Sequence, residues 1–358
     1  MAHDGNRLSG LLSRRNFLAT AGTAGAAALA GCSGSNSEKT TTGSGSQSIS
    51  ALEAGGSSTV FPIIDLASKY WNANPKASNA KDWPHAKYGI ETSKNLADYW
   101  GSLYGFPTGN GGDPPFRVSV GLSHSGTGIE KLRSGQIDIG NSSAPVRAEK
   151  PGWDQAVYEK FVDHVIGVDG QPIVVSSEIA NAGVTQISGD ELKDIYKGRI
   201  TNWSELGGPD RPIQVLGRVK GSGTRTAFVT NVFGDPTANT EVDNRFGQNQ
   251  RLAQAIASAN NAISYLALAF VDTEGVTPIA LNWKGTVYKY GKNLGAKDYP
   301  LSRDLHAYTW KGTSKKEAAF LRMVLSDFGQ ATFVVPNHYF KLPAARQQTQ
   351  LEKLPDPV

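Results

Sequence analysis

The chain contains a single cysteine, Cys32, among its 358 residues, so no disulfide bond can form within one copy of it. Its six histidines are scattered rather than grouped at metal-ligand spacings, and no segment ends in the Gly-Lys-Ser/Thr of a nucleotide-binding phosphate loop. A serine nucleophile elbow is also lacking. The sequence therefore predicts no catalytic residue, no metal ion and no organic cofactor, which argues against an enzyme.

The chain also lacks a strong charge of either sign. Its formal net charge is +4, and beyond residue 31 it holds 33 basic and 31 acidic side chains, evenly scattered. Domains that bind nucleic acid usually carry a concentrated basic face. We therefore predict no nucleic-acid partner. The length allows two domains, and a hydrophobic content of 39% is ordinary for a globular protein.

Residues 1–32 have the pattern of an export signal. Paired Arg14 and Arg15 precede a short apolar run of small residues that ends in the sequence LAGC. Twin arginines are typical of the export route for folded proteins, and Cys32 stands where a lipobox places the cysteine that is lipidated. We predict an exported protein that a lipid on Cys32 anchors at the outer face of the cell membrane. The alternative is a cysteine that follows an ordinary export signal by coincidence.

Residues 33–50 are rich in Ser, Thr and Gly and nearly free of apolar side chains, which predicts a flexible tether. From Ala51 onward, short apolar segments alternate with amphipathic ones, which is typical of an α/β fold. Ile63, Ala67 and Trp71 recur on one face of a predicted helix. The strand predictions are FRVSVGL, QIDIGNSSAPV, PIVVSS and IQVLGRV. Residues 76–115, rich in Trp, Tyr, Gly, Asn and Pro, favour a surface insertion over a partner-binding loop.

Three short polar turns each follow a predicted strand and begin a predicted helix: GGSSTVFPI, SHSGTGIEKL and RVKGSGTRTAF. The first N–H groups of a helix lack partners within it, and glycine allows the main chain to approach a ligand closely. Such turns can hold an oxyanion without a metal, and Arg218 or Arg225 adds a planar guanidinium. A single turn of this kind is more often a plain helix cap than a ligand site; Thr127 and Glu130, for example, have capping-box spacing.

Taken together, these motifs and the segment LKDIYKGRITNWSELGG resemble the periplasmic or lipoprotein phosphate-binding components of phosphate ABC importers, a PstS-like family. The resemblance extends over most of the chain from Ala51 onward. It implies a type II periplasmic-binding-protein fold with two α/β lobes, each a mixed sheet flanked by helices, and a ligand in the cleft between them. With the strand pattern, it assigns residues 51–176 and 301–358 to the first lobe and residues 177–300 to the second.

The resemblance also implies which residues bind the anion. Arg218 matches the arginine that clamps phosphate, and the other matching positions provide hydroxyl or main-chain donors. These positions are Thr59, Val60, Ser125, Ser222, Gly223 and Thr224. Ser143 stands where the family's well-known form has an aspartate, which accepts a proton from hydrogen phosphate and repels fully ionised sulfate. Lys220 stands where the family often has an acid, so both departures imply a more positive and less selective cleft.

The predicted function is capture of inorganic phosphate outside the cytoplasm by a monomer that delivers it to the membrane permease of an ABC importer. One alternative is a binding protein for another oxyanion, such as sulfate or molybdate, which the neutral Ser143 keeps open. The other is an exported phosphatase that uses Ser125 or Ser222 as its nucleophile.

Overall fold

The computed structural model describes residues 49–358, so the predicted export signal, Cys32 and the tether before residue 49 lie outside the described residues. The strands of this part of the chain are β1 Leu52–Ser57, β2 Val118–Ser123, β3 Ile139–Ser142, β4 Phe161–Gly170, β5 Ile173–Ser176, β6 Gln186–Ser188, β7 Gln214–Arg218, β8 Asn244–Phe246, β9 Ala262–Tyr265, β10 Val276–Trp283, β11 Thr286–Tyr288 and β12 Ser302–Trp310. Its α-helices are α1 Phe61–Ala73, α2 Leu96–Ser102, α3 Ser125–Arg133, α4 Val146–Glu149, α5 Gln155–Tyr158, α6 Ser177–Asn181, α7 Gly189–Tyr196, α8 Gly223–Phe233, α9 Asn249–Ser258, α10 Lys315–Leu325, α11 Asp327–Gly329 and α12 Ala344–Leu351.

The first sheet has five strands in the order β2-β1-β3-β12-β4. Strand β1 runs parallel to β2 and β3, while β12 runs antiparallel to β3 and β4. Because β1, β2 and β3 are parallel, their C-terminal ends meet at one edge, where Ser57 of β1 is in register with Ser123 of β2. The turns that lead into α1 and α3 therefore start side by side.

The second sheet has the order β11-β10-β5-β9-β7-β8, with β6 beside β10. Strand β7 is parallel to β9, and β5 is antiparallel to β9 and β10, so this sheet is mixed like the first. The chain enters it between Gly170 and Ile173 and returns to the first sheet between Tyr288 and Ser302. The predicted lobe boundary after residue 176 falls at the end of β5, four residues into the second sheet. Two mixed sheets flanked by helices confirm the predicted α/β architecture.

Local sequence signals explain where several helices begin. Helix α1 has Pro62 in its first turn and buries Ile63, Ala67 and Trp71, the face that the spacing predicts. The predicted capping box of Thr127 and Glu130 is wrong, because α3 begins at Ser125 and Thr127 lies inside it. No single helix among residues 49–358 is long and apolar enough to cross a membrane. Helix α10 and residues 327–337 meet that criterion only as a bent pair, by length and composition.

Residues 76–115 contribute aromatic side chains to the core, although most of the segment's other residues are partly or fully exposed. Their interpretation as a surface insertion is therefore wrong for the buried aromatic residues. Trp83 is fully buried, and its ring packs edge-on against Phe328 of α11 with the ring centroids 5.0 Å apart. Trp100 and Tyr104 are also buried, and Arg322 of α10 donates a hydrogen bond to the Tyr104 hydroxyl over 2.7 Å. The aromatic residues of this segment therefore pack against helices that follow some two hundred residues later in the chain.

Candidate functional site

The three polar turns meet where the two sheets face each other. The turns after β1 and β2 lie at the shared edge of the first sheet, and the turn after β7 faces them from the second sheet. The Gly126 N–H of α3 donates to the carbonyl oxygen of Gly221 over 3.0 Å, which joins the second and third turns directly. The hydroxyl oxygens of Thr59 and Thr224 lie 2.9 Å apart, which joins the first turn to the third.

Arg218 is the charged centre of this cluster. It is the last residue of β7 and only 1% exposed, and its guanidinium donates to the hydroxyls of Thr224 and Ser58 over 3.2 Å each. Its other hydrogen bonds are to the carbonyl oxygens of Phe246 and Gly247. Among residues 49–358, no carboxylate lies within salt-bridge distance of it. Burial lowers the pKa of Arg218 to about 9, which still leaves it protonated at neutral pH.

A buried cation without a carboxylate partner is costly, because it has left water without gaining a counter-charge. The neutral oxygens around Arg218 accept four hydrogen bonds from its five N–H groups but do not balance its charge. An anion bound at Thr224 and Ser58 would supply that charge. Lys220, the second predicted departure, is solvent-exposed, so water screens its charge.

A second arginine, Arg303 of β12, reaches the same hydroxyls from the first sheet. Its terminal nitrogen lies 3.4 Å from the Thr59 hydroxyl and 3.3 Å from the Thr224 hydroxyl. Unlike Arg218, Arg303 forms a buried ion pair with Asp169, with nitrogen–oxygen distances of 2.6 and 3.0 Å. Burial raises the pKa of Asp169, although the Arg303 charge opposes that shift. Neither Arg303 nor Asp169 was predicted from the sequence.

Ser143 and Ser125 form the part of the cluster next to Arg303. The Ser143 hydroxyl accepts a hydrogen bond from the Ser57 hydroxyl over 3.0 Å, and its carbonyl oxygen accepts one from Arg303. The Ser125 hydroxyl accepts the N–H groups of Ser143 over 3.1 Å and Gly223 over 3.2 Å. A hydroxyl thus lies at the position of the family's aspartate. It lies where residues of the first sheet contact the start of α8 from the second sheet.

Two more polar residues of the cluster were not predicted. The side-chain amide of Asn249, the first residue of α9, donates to the hydroxyls of Ser58 over 3.2 Å and Thr59 over 3.0 Å. Its sequence neighbourhood gives no sign of this role, because the contact joins segments that are 190 residues apart. Ser58 could have been found, since it lies between two residues of the first polar turn.

The remaining predicted residues lie at helix N-termini in the same region. Val60 is the buried N-cap of α1, and its carbonyl oxygen accepts the N–H groups of Ile63 and Ile64. Ser222 is the N-cap of α8, and its buried hydroxyl has no partner among the described residues. The structure therefore brings all eight predicted binding residues into one cluster: Thr59, Val60, Ser125, Ser143, Arg218, Ser222, Gly223 and Thr224.

Residues 110–327 match the family model of the PBP superfamily domain. Over 229 residues the chain is 32% identical to the phosphate-binding protein PstS of Bacillus subtilis, an alignment that covers 63% of this chain and 72% of that protein. The chain belongs to the PstS family within the PBP superfamily. The resemblance drawn from the sequence motifs is therefore confirmed. PstS of Staphylococcus epidermidis is 24% identical over 342 residues, which is 93% of this chain and 90% of that protein.

Solved structures share the fold of this PstS-family chain. One is a putative phosphate ABC transporter substrate-binding protein from Clostridium perfringens with bound phosphate. It superposes with a TM-score of 0.58 at 22% identity and covers 82% of this chain and 100% of its own. Another is an ABC-type phosphate transport receptor from Vibrio cholerae, with a TM-score of 0.52, 21% identity and the same coverage of both chains. The predicted periplasmic-binding-protein fold is thus confirmed.

Proposed function

We propose that this protein captures inorganic phosphate outside the cytoplasm and delivers it to the membrane permease of an ABC importer. The observation that carries the proposal is Arg218, a fully buried guanidinium without a carboxylate partner among the described residues. A phosphate oxygen pair matches the planar fork of its N–H groups. Relatives named phosphate-binding protein PstS support the same ligand.

In this proposal each predicted residue has a distinct role. Arg218 clamps two oxygens, and the hydroxyls of Thr59, Ser125 and Thr224 donate to the others. The N–H groups of Gly223 and Thr224 lie at the positive end of α8, an eleven-residue helix whose dipole favours an anion at its start. The Gly223 N–H, which donates to the Ser125 hydroxyl in this structure, would donate to the anion instead. Val60 and Ser222 supply further main-chain and hydroxyl donors, and Ser143 accepts the proton of hydrogen phosphate.

Binding requires both sheets, because Thr59, Ser125 and Ser143 come from the first and Arg218 and Thr224 from the second. We infer that phosphate closes the two lobes, 51–176 with 301–358 against 177–300, and that the closed form is the state the permease accepts. The protein would act as a monomer. A lipid on Cys32 would hold it at the outer face of the membrane; mass spectrometry of the membrane-bound form would detect the added acyl mass.

We infer a binding protein rather than a phosphatase. The Ser125 hydroxyl oxygen already accepts hydrogen bonds from the N–H groups of Ser143 and Gly223, which occupy the lone pairs that a nucleophile would use. No histidine described by the structure hydrogen-bonds to Ser125 or Ser222, so neither has the general base that a nucleophilic serine needs.

A second oxyanion remains a specific alternative because Ser143 is neutral. A carboxylate at this position would repel sulfate, which carries no proton, whereas a hydroxyl does not. We therefore infer that sulfate competes with phosphate more effectively here than at a site with an aspartate.

Calorimetric titration of protein freed of phosphate tests the proposal. We expect saturable binding of phosphate with a micromolar or lower Kd at neutral pH, and weaker binding of sulfate and molybdate. The absence of heat with phosphate at micromolar concentrations would sink the proposal. A Kd for sulfate below that for phosphate would replace phosphate by sulfate as the ligand.

A further inference from the structure

A cavity lies between the two sheets, next to the cluster of predicted binding residues around Arg218, called the anion cluster below. It has a volume of about 250 Å³, several times the roughly 30 Å³ that one water molecule takes up in the liquid. Ala144, Pro145 and Ala148 line it from the first sheet's side, and Ala227 of α8 lines it from the other. These walls are small and apolar, so the cavity suits a short carbon chain.

Three features connect this cavity to the anion cluster. Ala227 lies one helical turn beyond Thr224, on the same face of α8. Ala144 directly follows Ser143. Arg303 lines the cavity and also hydrogen-bonds to Thr224, so it belongs to both. A substituent on a tetrahedral anion held by Arg303 would therefore extend into the cavity.

The cavity is also lined by polar side chains that can accept hydrogen bonds. His306 lines it and is 3% exposed, and its Nδ1 is 2.8 Å from the Asp163 carboxylate. When Nδ1 carries its proton toward Asp163, Nε2 presents a lone pair, and this buried atom has no partner among the described residues. The Thr230 hydroxyl also lines the cavity and has no partner within residues 49–358. Asp304 adds a carboxylate, which Arg346 also contacts.

We propose that this cavity is a subsite for the organic group of small phosphonates or phosphate monoesters with a terminal ammonium or hydroxyl group. The phosphorus-bound oxygens would occupy the anion cluster, one or two methylene groups would pack against the alanines, and the terminal group would donate to His306 and Thr230. This inference rests on the proposed function of the anion cluster, and it widens the ligand class from free phosphate to its small organic derivatives.

Calorimetry with four probes tests it: inorganic phosphate, 2-aminoethylphosphonate, phosphoethanolamine and ethylphosphonate. We expect 2-aminoethylphosphonate to bind with a Kd within about tenfold of that for phosphate. Ethylphosphonate should bind about 5- to 10-fold more weakly than its amino derivative, because it leaves the acceptors of His306 and Thr230 unpaired. Comparison of 2-aminoethylphosphonate with phosphoethanolamine shows whether the phosphonate or the ester linkage is preferred.

Substitutions in the cavity locate the organic group. Ala227→Leu fills the cavity and should weaken 2-aminoethylphosphonate binding by at least about 30-fold, while the phosphate Kd changes less than about threefold. Thr230→Val keeps the shape but removes an acceptor, and should cost the amino compound alone about 5- to 10-fold. If Ala227→Leu does not fold, Thr230→Val alone tests whether the organic group occupies the cavity. Ala345→Leu, an equal change at an exposed position of α12, should alter neither affinity.

Each outcome has a separate meaning. Phosphate binding without any organic ligand overturns the subsite and leaves the proposed function standing. Organic ligands that bind equally well to wild type, Ala227→Leu and Thr230→Val also overturn it, because their substituent then lies elsewhere. If neither phosphate nor an organic ligand binds, the proposed function fails and the subsite with it.

Discussion

At the scale of single residues, the two arginines of the cluster differ in one respect that governs their roles. Arg303 has the Asp169 carboxylate as a permanent counter-charge, whereas Arg218 has only neutral oxygens. Arg218 therefore holds a buried positive charge with no carboxylate within salt-bridge distance among residues 49–358. The Glu149 carboxyl is buried in the same region, and burial raises its pKa, although nearby positive charges that include Arg218 oppose that shift. The positive charge of Arg218 indicates a negatively charged ligand more directly than the hydroxyl groups around it do.

Arg218→Ala is expected to abolish high-affinity phosphate binding. Loss of a buried, charge-assisted contact costs about 2 to 5 kcal/mol, or roughly 30- to several-thousand-fold in Kd. Arg218→Lys keeps the charge but loses the fork, so its loss should be smaller. Calorimetric titration measures both. Arg225→Ala, in the first turns of α8, is the matched control; an equal loss there would contradict the special role of Arg218.

Ser143→Asp is expected to sharpen selectivity. A carboxylate at this position repels sulfate but accepts the proton of hydrogen phosphate, so the ratio of sulfate Kd to phosphate Kd should rise at least about tenfold. Competition titrations at neutral pH measure this ratio, with Ser134→Asp at an exposed position as the control for added charge. An unchanged ratio would mean that Ser143 does not face the anion.

At the scale of elements, the start of α8 is packed against the first sheet too closely to admit a side chain. A Cβ atom added at Gly223 would lie 2.4 Å from the Ser125 hydroxyl oxygen and 2.6 Å from that of Ser143. Such contacts are far inside van der Waals distance. The close contact between the start of α8 and the first sheet therefore requires glycine at position 223.

Gly223→Ala is therefore expected to separate the start of α8 from the turns of the first sheet. Because the donors from the two sheets then no longer converge, phosphate binding should weaken by about tenfold or more. Calorimetry gives the affinity, and small-angle scattering gives the radius of gyration with and without phosphate. We expect less compaction on binding than in wild type. Gly121→Ala on β2, whose Cβ would meet only an ordinary contact at 3.8 Å, should behave as wild type.

Trp83→Ala is expected to destabilise the protein by about 3 to 5 kcal/mol, because it empties a fully buried site between α2 and α11. Denaturant unfolding measures this loss. Trp83→Phe should lose less, and both variants should bind phosphate normally when folded. A loss below about 1 kcal/mol for the alanine variant would show that residues 76–115 are not part of the core.

The helices and strands differ in how well the sequence alone predicts them. The polar turns, α1 and the strands were predictable because their signals are local, such as spacing, glycine and cap residues. Arg303, Asp169 and Asn249 were missed because only the tertiary fold brings them to the turns. Residues 76–115 were misread for the same reason, since the partners of their aromatic side chains lie in α10 and α11.

At the scale of the whole molecule, buried histidine links stability to pH. His164 is fully buried, and its Nε2 is 2.9 Å from the Thr313 hydroxyl. Burial lowers the pKa of His164 from 6.5 to about 4. Between these values the unfolded chain binds a proton that the folded protein excludes. The burial of neutral His164 therefore costs no stability above about pH 6.5, and the free energy of unfolding decreases as the pH falls from 6.5 toward 4.

We expect the free energy of unfolding to drop by up to about 3 kcal/mol across this window because of His164. His164→Gln, which does not titrate, should flatten the dependence on pH in that range, whatever its effect at neutral pH. Denaturant titrations at several pH values provide the test. His85→Gln, at a position that is only half-buried, is the matched control. An unchanged slope in the His164 variant would exclude this origin.

The path of the chain between the sheets also bears on the order of folding. Strand β12 lies between β3 and β4 in the first sheet, yet the whole second sheet separates β4 from β12 in the sequence. A growing chain therefore lacks both an interior strand of its first sheet and Arg303 until the second sheet has been synthesised. Contacts of such long sequence separation form slowly, so we expect the first sheet to be the last part to become native.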